Sequence, residues 1–227
     1  MISFLKKEAP DVICLQEVLG SDVDYLKKSL GVKGLYAPSA YFIDSNWAAP
    51  GSTDVWGILT LTRLDISNIF TNYYFGSQDN LPTLMSLTSN PAAINRILLV
   101  VEINVGNIPF RIINTHFTWS ADGQATDLQR QHFPKMLNML GDYDGFVLCG
   151  DFNAPRGREI WTSLAEKFTD NVSASIDSTI DPHLHKVNGL HIVVDGVFST
   201  SQYVVTDLVL HSGISDHQAI VCQVSKN

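Results

Sequence analysis

An acid and an amide, one residue apart, follow a short apolar segment in the second half of the chain. Residues 146–149 are apolar, and Gly150 leads directly into Asp151, Phe152 and Asn153. If the apolar segment is a strand, both polar side chains lie at its exit, where catalytic groups commonly sit on a rigid scaffold. Glycine, Asp and Asn are also common turn residues, so this segment alone fits a simple turn equally well.

Three other β-rich segments also carry polar groups at one end. These are residues 11–18 with Glu17, residues 110–117 with Asn114 and His116, and residues 213–221 with Asp216 and His217. A carboxylate costs more to bury than an apolar side chain, so its placement at a strand end needs a reason. Four widely separated segments with the same feature indicate one site assembled in space.

These motifs, in this order, resemble the endonuclease/exonuclease/phosphatase superfamily of metal-dependent phosphoesterases. The matching blocks are LQEV at 15–18, NTHF at 114–117, GDFNAP at 150–155, VDGVF at 194–198 and SDH at 215–217. GDFN and SDH are specific when both occur in this order, and the resemblance extends from Phe4 to Val224. It implies a four-layer α/β sandwich, in which two packed mixed β-sheets are flanked by helices.

The resemblance also implies a metal and a nucleophile at the site. Glu17 is the first candidate for a metal ligand, and Asp216 completes the metal shell directly or through water. Hard oxygen ligands suit Mg²⁺, with Mn²⁺ as an alternative. Asp151 orients or deprotonates the attacking water, and Asn153 donates from its amide to the phosphate or the transition state.

Two histidines complete the implied site. His217 contacts the phosphate or acts as a base, while Asp195 holds its imidazole in one tautomer. Asp195 lies in an apolar strand, where an unpaired charge is costly, and His217 is the best candidate for its partner. His116 donates to a phosphoryl oxygen or to the leaving group, with Asn114 as support. Spacing does not determine which histidine is the acid and which is the base.

Several of these residues have structural alternatives. Glu17 could cap the following helix, and His116 could be satisfied by backbone atoms at a strand end. Arg96 could reach phosphate, although a solvated side chain is the commoner outcome, so we leave it outside the predicted site.

The histidine-rich segment at residues 181–186 allows two interpretations. His183, His185 and His191 could bind zinc, but no further ligand follows at structural spacing. We expect instead a loop beside the site that contributes to substrate choice. Trp47 and Trp56 could line the rim of the site, although core packing is the commoner role of such residues.

Composition favours one domain. The chain has 227 residues, 45% of them hydrophobic, and a net charge of −8. No basic cluster of the kind that grips duplex nucleic acid occurs, so single-stranded or short nucleic acid is the better nucleic-acid candidate. There is no apolar run long enough to span a membrane. Cys14, Cys149 and Cys222 fall in apolar segments and read as reduced core residues, which favours a cytoplasmic setting.

The start of the chain departs from the resembled family, whose members normally begin with a strand ending in an Asn of the metal and phosphate site. Residues 2–8 instead read as a helix. Either the sequence is N-terminally incomplete, or the protein has lost this strand together with one site residue. We expect the first, with residues 1–227 forming a single domain.

Local patterns predict further elements. Helices are expected at residues 22–30, 126–140 and 158–167. Residues 55–62 and 66–75 are expected to pair as a hairpin, and so are residues 94–104 and 108–114.

The motifs together predict a divalent-metal-dependent hydrolase of phosphate esters, either a phosphodiesterase or a phosphatase. The alternative is a catalytically inactive relative that binds phosphate or acts as a scaffold. Fold and catalytic set do not choose among nucleic acid, sphingolipid and inositol phosphate as substrate, and they do not indicate an oligomeric state.

Overall fold

The computed structural model describes residues 1–43, 53–84 and 93–227, so Trp47 lies outside the described residues. The helices are α1 (Ile2–Glu8), α2 (Val23–Leu30), α3 (Asp127–Leu140) and α4 (Glu159–Ala165). The strands are β1 (Val12–Leu19), β2 (Lys33–Phe42), β3 (Asp54–Thr62), β4 (Asp65–Phe75), β5 (Thr83–Leu84), β6 (Arg96–Val105), β7 (Ile108–His116), β8 (Val147–Asp151), β9 (Thr169–Asp170), β10 (Asp195–Ser199), β11 (Tyr203–His211) and β12 (Ala219–Lys226).

Two mixed sheets form the centre of the molecule. The first has strand order β1-β3-β2-β5, and the second has order β4-β6-β7-β8-β10-β9. Each sheet combines antiparallel pairs with one parallel pair, β2 with β5 and β7 with β8. Strands β11 and β12 form a separate antiparallel pair.

The alternation of side chains along the strands builds four layers. Ile58 of the first sheet and Leu99 of the second lie in one buried cluster between the sheets. Leu59, the neighbour of Ile58, faces the opposite way and packs with Leu5 and Leu26 of the first two helices. On the outer face of the second sheet, α3 and α4 cover a cluster that includes Phe152 and Phe198. The expected four-layer α/β sandwich is confirmed.

Local signals located the helices correctly. Thr126 caps α3 through a capping box, because its hydroxyl accepts from the backbone of Gln129 while the Gln129 side chain accepts from the backbone of Thr126. Helix α2 ends at Gly31, whose φ of 65° is in the left-handed region.

The expected hairpin between residues 55–62 and 66–75 is wrong. Strand β3 pairs with β1 and β2 in the first sheet, whereas β4 pairs with β6 in the second. The short connection after Thr62 therefore crosses between the sheets. A short turn with apolar strands on both sides looks the same in sequence whether the chain folds back or changes sheet. The β6–β7 hairpin is confirmed, with Val105 opposite Ile108.

The three cysteines are free and partly buried. They pack beside one buried cluster formed by residues such as Ile112 and Val147. No helix in the described part of the chain has the length and apolar character needed to cross a bilayer.

Candidate active site

Strand register aligns three of the sequence-predicted site residues in a row. His116, the last residue of β7, lies beside Asp151, the last residue of β8. Asp151 in turn lies opposite Asp195, the first residue of β10. All three residues are buried, with 8–9% of their surface exposed. The end of the second sheet thus presents a histidine and two acids side by side.

Glu17 reaches the same place from the first sheet through a break in strand β1. The register of β1 against β3 shifts between Leu15 and Val18, so Glu17 lies in a bulge. Its φ of 56° is in the left-handed region, which is uncommon for a residue with a Cβ. The bulge brings the Glu17 carboxylate to within 3.8 Å of the His116 ring nitrogen Nε2.

Asn153 has the second positive φ at the site, at 49°. Its backbone N–H donates to Asp151 Oδ1 at 2.7 Å, and its side-chain amide donates to the carbonyl of Phe117 at 3.1 Å. The Asn153 carbonyl accepts from Gln129 of α3. These bonds fix the turn after β8, and one amide hydrogen of Asn153 is left for a further acceptor. Strained backbone of this kind clusters at functional sites.

Asn114 lies fully buried between the sheets, two residues before His116 on the same strand. Its amide donates to the carbonyls of Leu15 and Leu59, and its carbonyl oxygen accepts from Gln16 at 2.6 Å. Asn114 thus ties β7 to the strand that carries Glu17. These three hydrogen bonds hold the side chain in place between the two strands.

Asp195 and His217 form a direct pair. Asp195 Oδ2 lies 2.8 Å from His217 Nδ1, and the backbone N–H of Asp195 donates to the hydroxyl of Thr179. Burial alone lowers the pKa of His217, but the charges of Asp195, Asp151 and Asp216 outweigh it and raise that pKa to about 10. His217 is therefore an imidazolium at neutral pH.

His116 has the opposite character. Burial lowers the pKa of its ring well below the usual value, and the charges of Arg96 and His217 lower it further. The ring packs edge-on against Trp56, with 5.7 Å between ring centroids. Its Nε2 lies 3.6 Å from Asp151 Oδ2. His116 is a neutral imidazole between two carboxylates. Trp56 itself is buried in a cluster with Ala40 and Leu84, in agreement with core packing.

The two central carboxyls hold their protons more tightly than usual. Burial raises the pKa of Asp151 to about 7, and the charge of Asp195 contributes in the same direction. Desolvation by the surrounding protein, together with the charge of Asp216, raises the pKa of Glu17 to about 7 as well. The Glu17 side chain nevertheless keeps 46% of its surface exposed, so solvent reaches it from one side. Like charges held together in this way favour a bound cation or a bound proton.

The donor set fits a hard divalent cation. Glu17 and the exposed Asp216 offer carboxylate oxygens and interact electrostatically with each other. Mg²⁺ usually takes one or two protein carboxylates and keeps several water molecules, so an open pair of this kind suits it. Among the described residues, the closest His and Asp groupings are Asp151 with Asp195 and His217, and His185 with Asp216 and His217.

The structure decides the alternatives for Glu17 and the histidine-rich segment. The N-cap residue of α2 is Asp22, and among the described residues no hydrogen bond joins the Glu17 side chain to this helix. Among the described residues His185 groups with Asp216 and His217, and neither His183 nor His191 joins a cluster able to hold a metal. His191 lies instead on the surface, 3.7 Å from the carboxylate of Asp177. The zinc interpretation is not supported.

Arg96 was expected to be solvated, and this is wrong. It is 1% exposed, and its guanidinium donates to the carbonyls of His116 and Phe117. Burial lowers its pKa to about 10, so it keeps its charge at neutral pH. Its position at the first residue of β6, beside the end of β7, is set by strand pairing, which the local sequence does not show.

Two further residues that sequence reasoning missed hold the segments on which Asp195 and His217 lie. The Thr179 hydroxyl accepts from the backbone of Val194 and Asp195. The buried Asp181 accepts from the backbone of three residues, and its own N–H donates to the carbonyl of Asp216. The sequence signal for a loop held by its first residue was an Asp followed by Pro182 in a polar segment.

Comparison with known structures finds the same fold at low sequence identity. An endonuclease/exonuclease/phosphatase from Bacteroides vulgatus superposes with a TM-score of 0.73 at 16% identity, covering 100% of this chain and 88% of that one. The catalytic domain of human nocturnin, with bound sulfate, gives 0.69 at 20% identity, with coverage of 100% and 84%. A mannosyl-6-phosphatase from Bacteroides thetaiotaomicron gives 0.62 at 14% identity, with coverage of 99% and 88%.

Sequence comparison with the curated proteins finds no match. A family model, in contrast, matches residues 1–217, which contain all the predicted site residues. The chain belongs to the endonuclease/exonuclease/phosphatase family.

Proposed function

We propose that this protein is a divalent-metal-dependent hydrolase of phosphate esters. The observation that carries the proposal is the grouping of Asp151, Asp195 and His217, whose ligand atoms all lie within 4.8 Å of one another. It combines a carboxyl with a pKa near neutrality and an imidazolium in one cleft. A base near the operating pH and a fixed cation are what ester hydrolysis by water requires.

Glu17 and Asp216 would hold the Mg²⁺, with Mn²⁺ as the alternative. The ion, when bound, neutralises charge on the phosphoryl group. Neutralisation matters here because Glu17, Asp151, Asp195 and Asp216 would otherwise repel a phosphate.

Asp151 would act as the base. The oxygen of water forms a bond to phosphorus, the bond from phosphorus to the ester oxygen breaks, and the water proton passes to Asp151. The departing oxygen takes a proton from solvent, which reaches the site past the exposed Glu17 and Asp216. Asn153, through its remaining amide hydrogen, would orient the water or a phosphoryl oxygen.

The two histidines would serve as donors of different kinds. His217 is protonated and would donate from Nε2 to a phosphoryl oxygen, since Asp195 occupies its Nδ1. His116 is neutral and would donate a weaker hydrogen bond to the phosphate or to the leaving oxygen. Asn114 and Asp195 would act by positioning these groups.

Two relatives in structure act on or bind related groups. One is a mannosyl-6-phosphatase, and human nocturnin was solved with sulfate. Both fit a phosphate ester as the substrate class. Single-stranded or short nucleic acid stays a candidate, because the net charge of −8 disfavours tight binding of long duplex DNA.

The test is a hydrolysis assay of the purified protein with Mg²⁺, with Mn²⁺ and with chelator. The panel contains a generic monoester and diester, single-stranded and duplex DNA, an inositol phosphate and sphingomyelin. We expect turnover of at least one ester that stops with chelator and returns with added metal. A well-folded protein that hydrolyses none of them would favour a noncatalytic phosphate-binding role.

A further inference from the structure

His185 extends the candidate site beyond the residues of the family motifs. It lies in the loop that follows Ile180 and is half-buried. Its ring centroid is 6.0 Å from that of His217, and the ligand atoms of His185, Asp216 and His217 all lie within 4.8 Å of one another. The hydrogen bonds described above for the catalytic groups are made with residues other than His185.

The hydrogen bonds of the His185 ring determine which of its two nitrogens carries the hydrogen. The backbone N–H of Val187 lies 3.1 Å from Nδ1, while the Val187 carbonyl is farther away at 3.4 Å. An N–H is always a donor, so Nδ1 accepts and the ring hydrogen is on Nε2. A nitrogen that carries hydrogen binds an anion's oxygen and does not ligate a metal.

The loop around His185 is held firmly against the segment that carries His217. The Asp181 carboxylate accepts from the backbone of His183 and Leu184 at 2.9 Å and from Gly213 at 2.6 Å. The Asp181 backbone N–H donates to Asp216, and the backbone of Ile180 bridges to that of His217. The position of His185 relative to His217 is therefore fixed by backbone bonds on both sides.

We propose that His185 is a substrate-binding residue that donates a hydrogen bond from Nε2 to a phosphoryl oxygen of the bound ester. The proposal rests on the phosphoesterase function proposed above. His217 and His185 then hold the phosphate from adjacent positions, one from the family motif and one from the loop. Lys186, which interacts electrostatically with Glu17, adds positive charge on the same side.

The test compares His185→Ala with His183→Ala, a matched control in the same loop whose side chain is exposed. Two readouts are used in parallel. The first is calorimetric binding of inorganic phosphate in the presence of Mg²⁺, and the second is hydrolysis of p-nitrophenyl phosphate and bis-p-nitrophenyl phosphate. Melting temperatures of all variants show whether the fold is kept.

We expect His185→Ala to weaken phosphate binding by about 10- to 100-fold, the effect of one hydrogen bond to a charged group. KM should rise with little change in kcat, because the bond is present before and during the reaction. His185→Gln keeps a donor and should recover part of the loss. His183→Ala should behave as wild type.

Equal phosphate affinity in wild type and His185→Ala would overturn the proposal, and so would a wild type that does not bind phosphate. Zn²⁺ binding that is lost in His185→Ala would also overturn it, since that requires a free lone pair on the ring. Phosphate binding that depends on His185, without hydrolysis of any ester of the panel described above, would support His185 while refuting the hydrolase assignment.

Discussion

The regions around His116 and His217 give the same side chain different charge states within one candidate site. His217 faces Asp195, and its pKa rises to about 10, whereas burial and the charge of Arg96 drive the pKa of His116 well below the usual range. The difference comes from the surroundings of each ring: burial dominates at His116, with the charge of Arg96 acting in the same direction, whereas at His217 the nearby acids, Asp195 first, outweigh burial. One histidine is thereby a cation at neutral pH and the other a neutral imidazole, a difference that suits the hydrolysis of a phosphate ester proposed above.

Removing the acid behind His217 should have the largest effect. In Asp195→Asn the pKa of His217 should fall toward 6.5, its ordinary value. Hydrolysis near pH 8 should then drop by about 10²- to 10³-fold, the usual cost of losing one preorganised donor to the charge of the transition state. Histidine NMR titration and steady-state kinetics measure the two effects.

The matched control is Asp177→Asn, because Asp177 also pairs with a histidine but on the surface, with 83% of its side chain exposed. It should leave both readouts unchanged. An Asp195→Asn variant whose His217 still titrates near 10 would contradict the assigned cause.

Removing the buried cation Arg96, which bonds the backbone of His116, should mainly lower the stability of the fold. Arg96→Met leaves the buried carbonyls of His116 and Phe117 without that donor, which should lower the free energy of unfolding by about 3 kcal/mol. The pKa of His116 should rise at the same time, so the difference between the pKa values of His116 and His217 should become smaller. Denaturant unfolding and NMR titration test this.

Arg130→Met serves as the control, since Arg130 forms only surface ion pairs with Glu159 and Asp127. It should cost less than about 1 kcal/mol. Equal losses in the two arginine variants would mean that the burial of Arg96 contributes nothing specific.

Glu17 lies between the two regions and should make metal binding depend on pH. Its pKa is raised to about 7, so protons compete with Mg²⁺ below that pH and not above it. The affinity for Mg²⁺ should fall by about tenfold for each pH unit below 7 and level off above 8. Calorimetric titration across pH 5.5 to 8.5 measures it, and an affinity independent of pH would exclude Glu17 as a ligand.

Substitution of Cys149 should have the smallest effect on turnover, since we expect this residue to be part of the scaffold. It lies on β8, the strand between those that carry His116 and Asp195, and its thiol packs beside Ile112 and Val147 and donates to the carbonyl of Ile113. Cys149→Ala should cost about 1–2 kcal/mol of stability and change the rate by less than about twofold. Loss of turnover at an unchanged melting temperature would show that Cys149 is more than scaffold.

The sequence predicted those parts of the site that follow from the free-energy cost of burying an unpaired charge. A buried Asp195 in an apolar strand needs a partner, and His217 is its partner in the structure. Strand-end motifs predicted that Glu17, His116, Asp151 and His217 would meet, and the fold brings them together. The four-layer architecture came from the family resemblance, since periodicity alone supported only a mixed α/β fold.

The remainder depends on strand pairing, which local patterns do not reveal. Arg96 looked like a surface residue because its burial results from the neighbouring end of β7. The crossing from β3 to β4 looked like a hairpin because both outcomes use the same turn residues. The left-handed backbone at Glu17 had no signal in the sequence either, whereas Asn153 is of a residue type that adopts this conformation more readily.

The proposed hydrolysis of a phosphate ester requires Asp151 and a divalent metal to act together. The most direct measurement is the Mg²⁺-dependent turnover of wild type and Asp151→Asn at pH 8 on the best ester of the panel, with melting temperatures as a check of folding. We expect Asp151→Asn to lose more than about 10³-fold in kcat, the upper part of the range for a catalytic base, with the fold intact. Turnover by a folded Asp151→Asn at the wild-type rate, or wild-type turnover that survives chelation, would contradict the account.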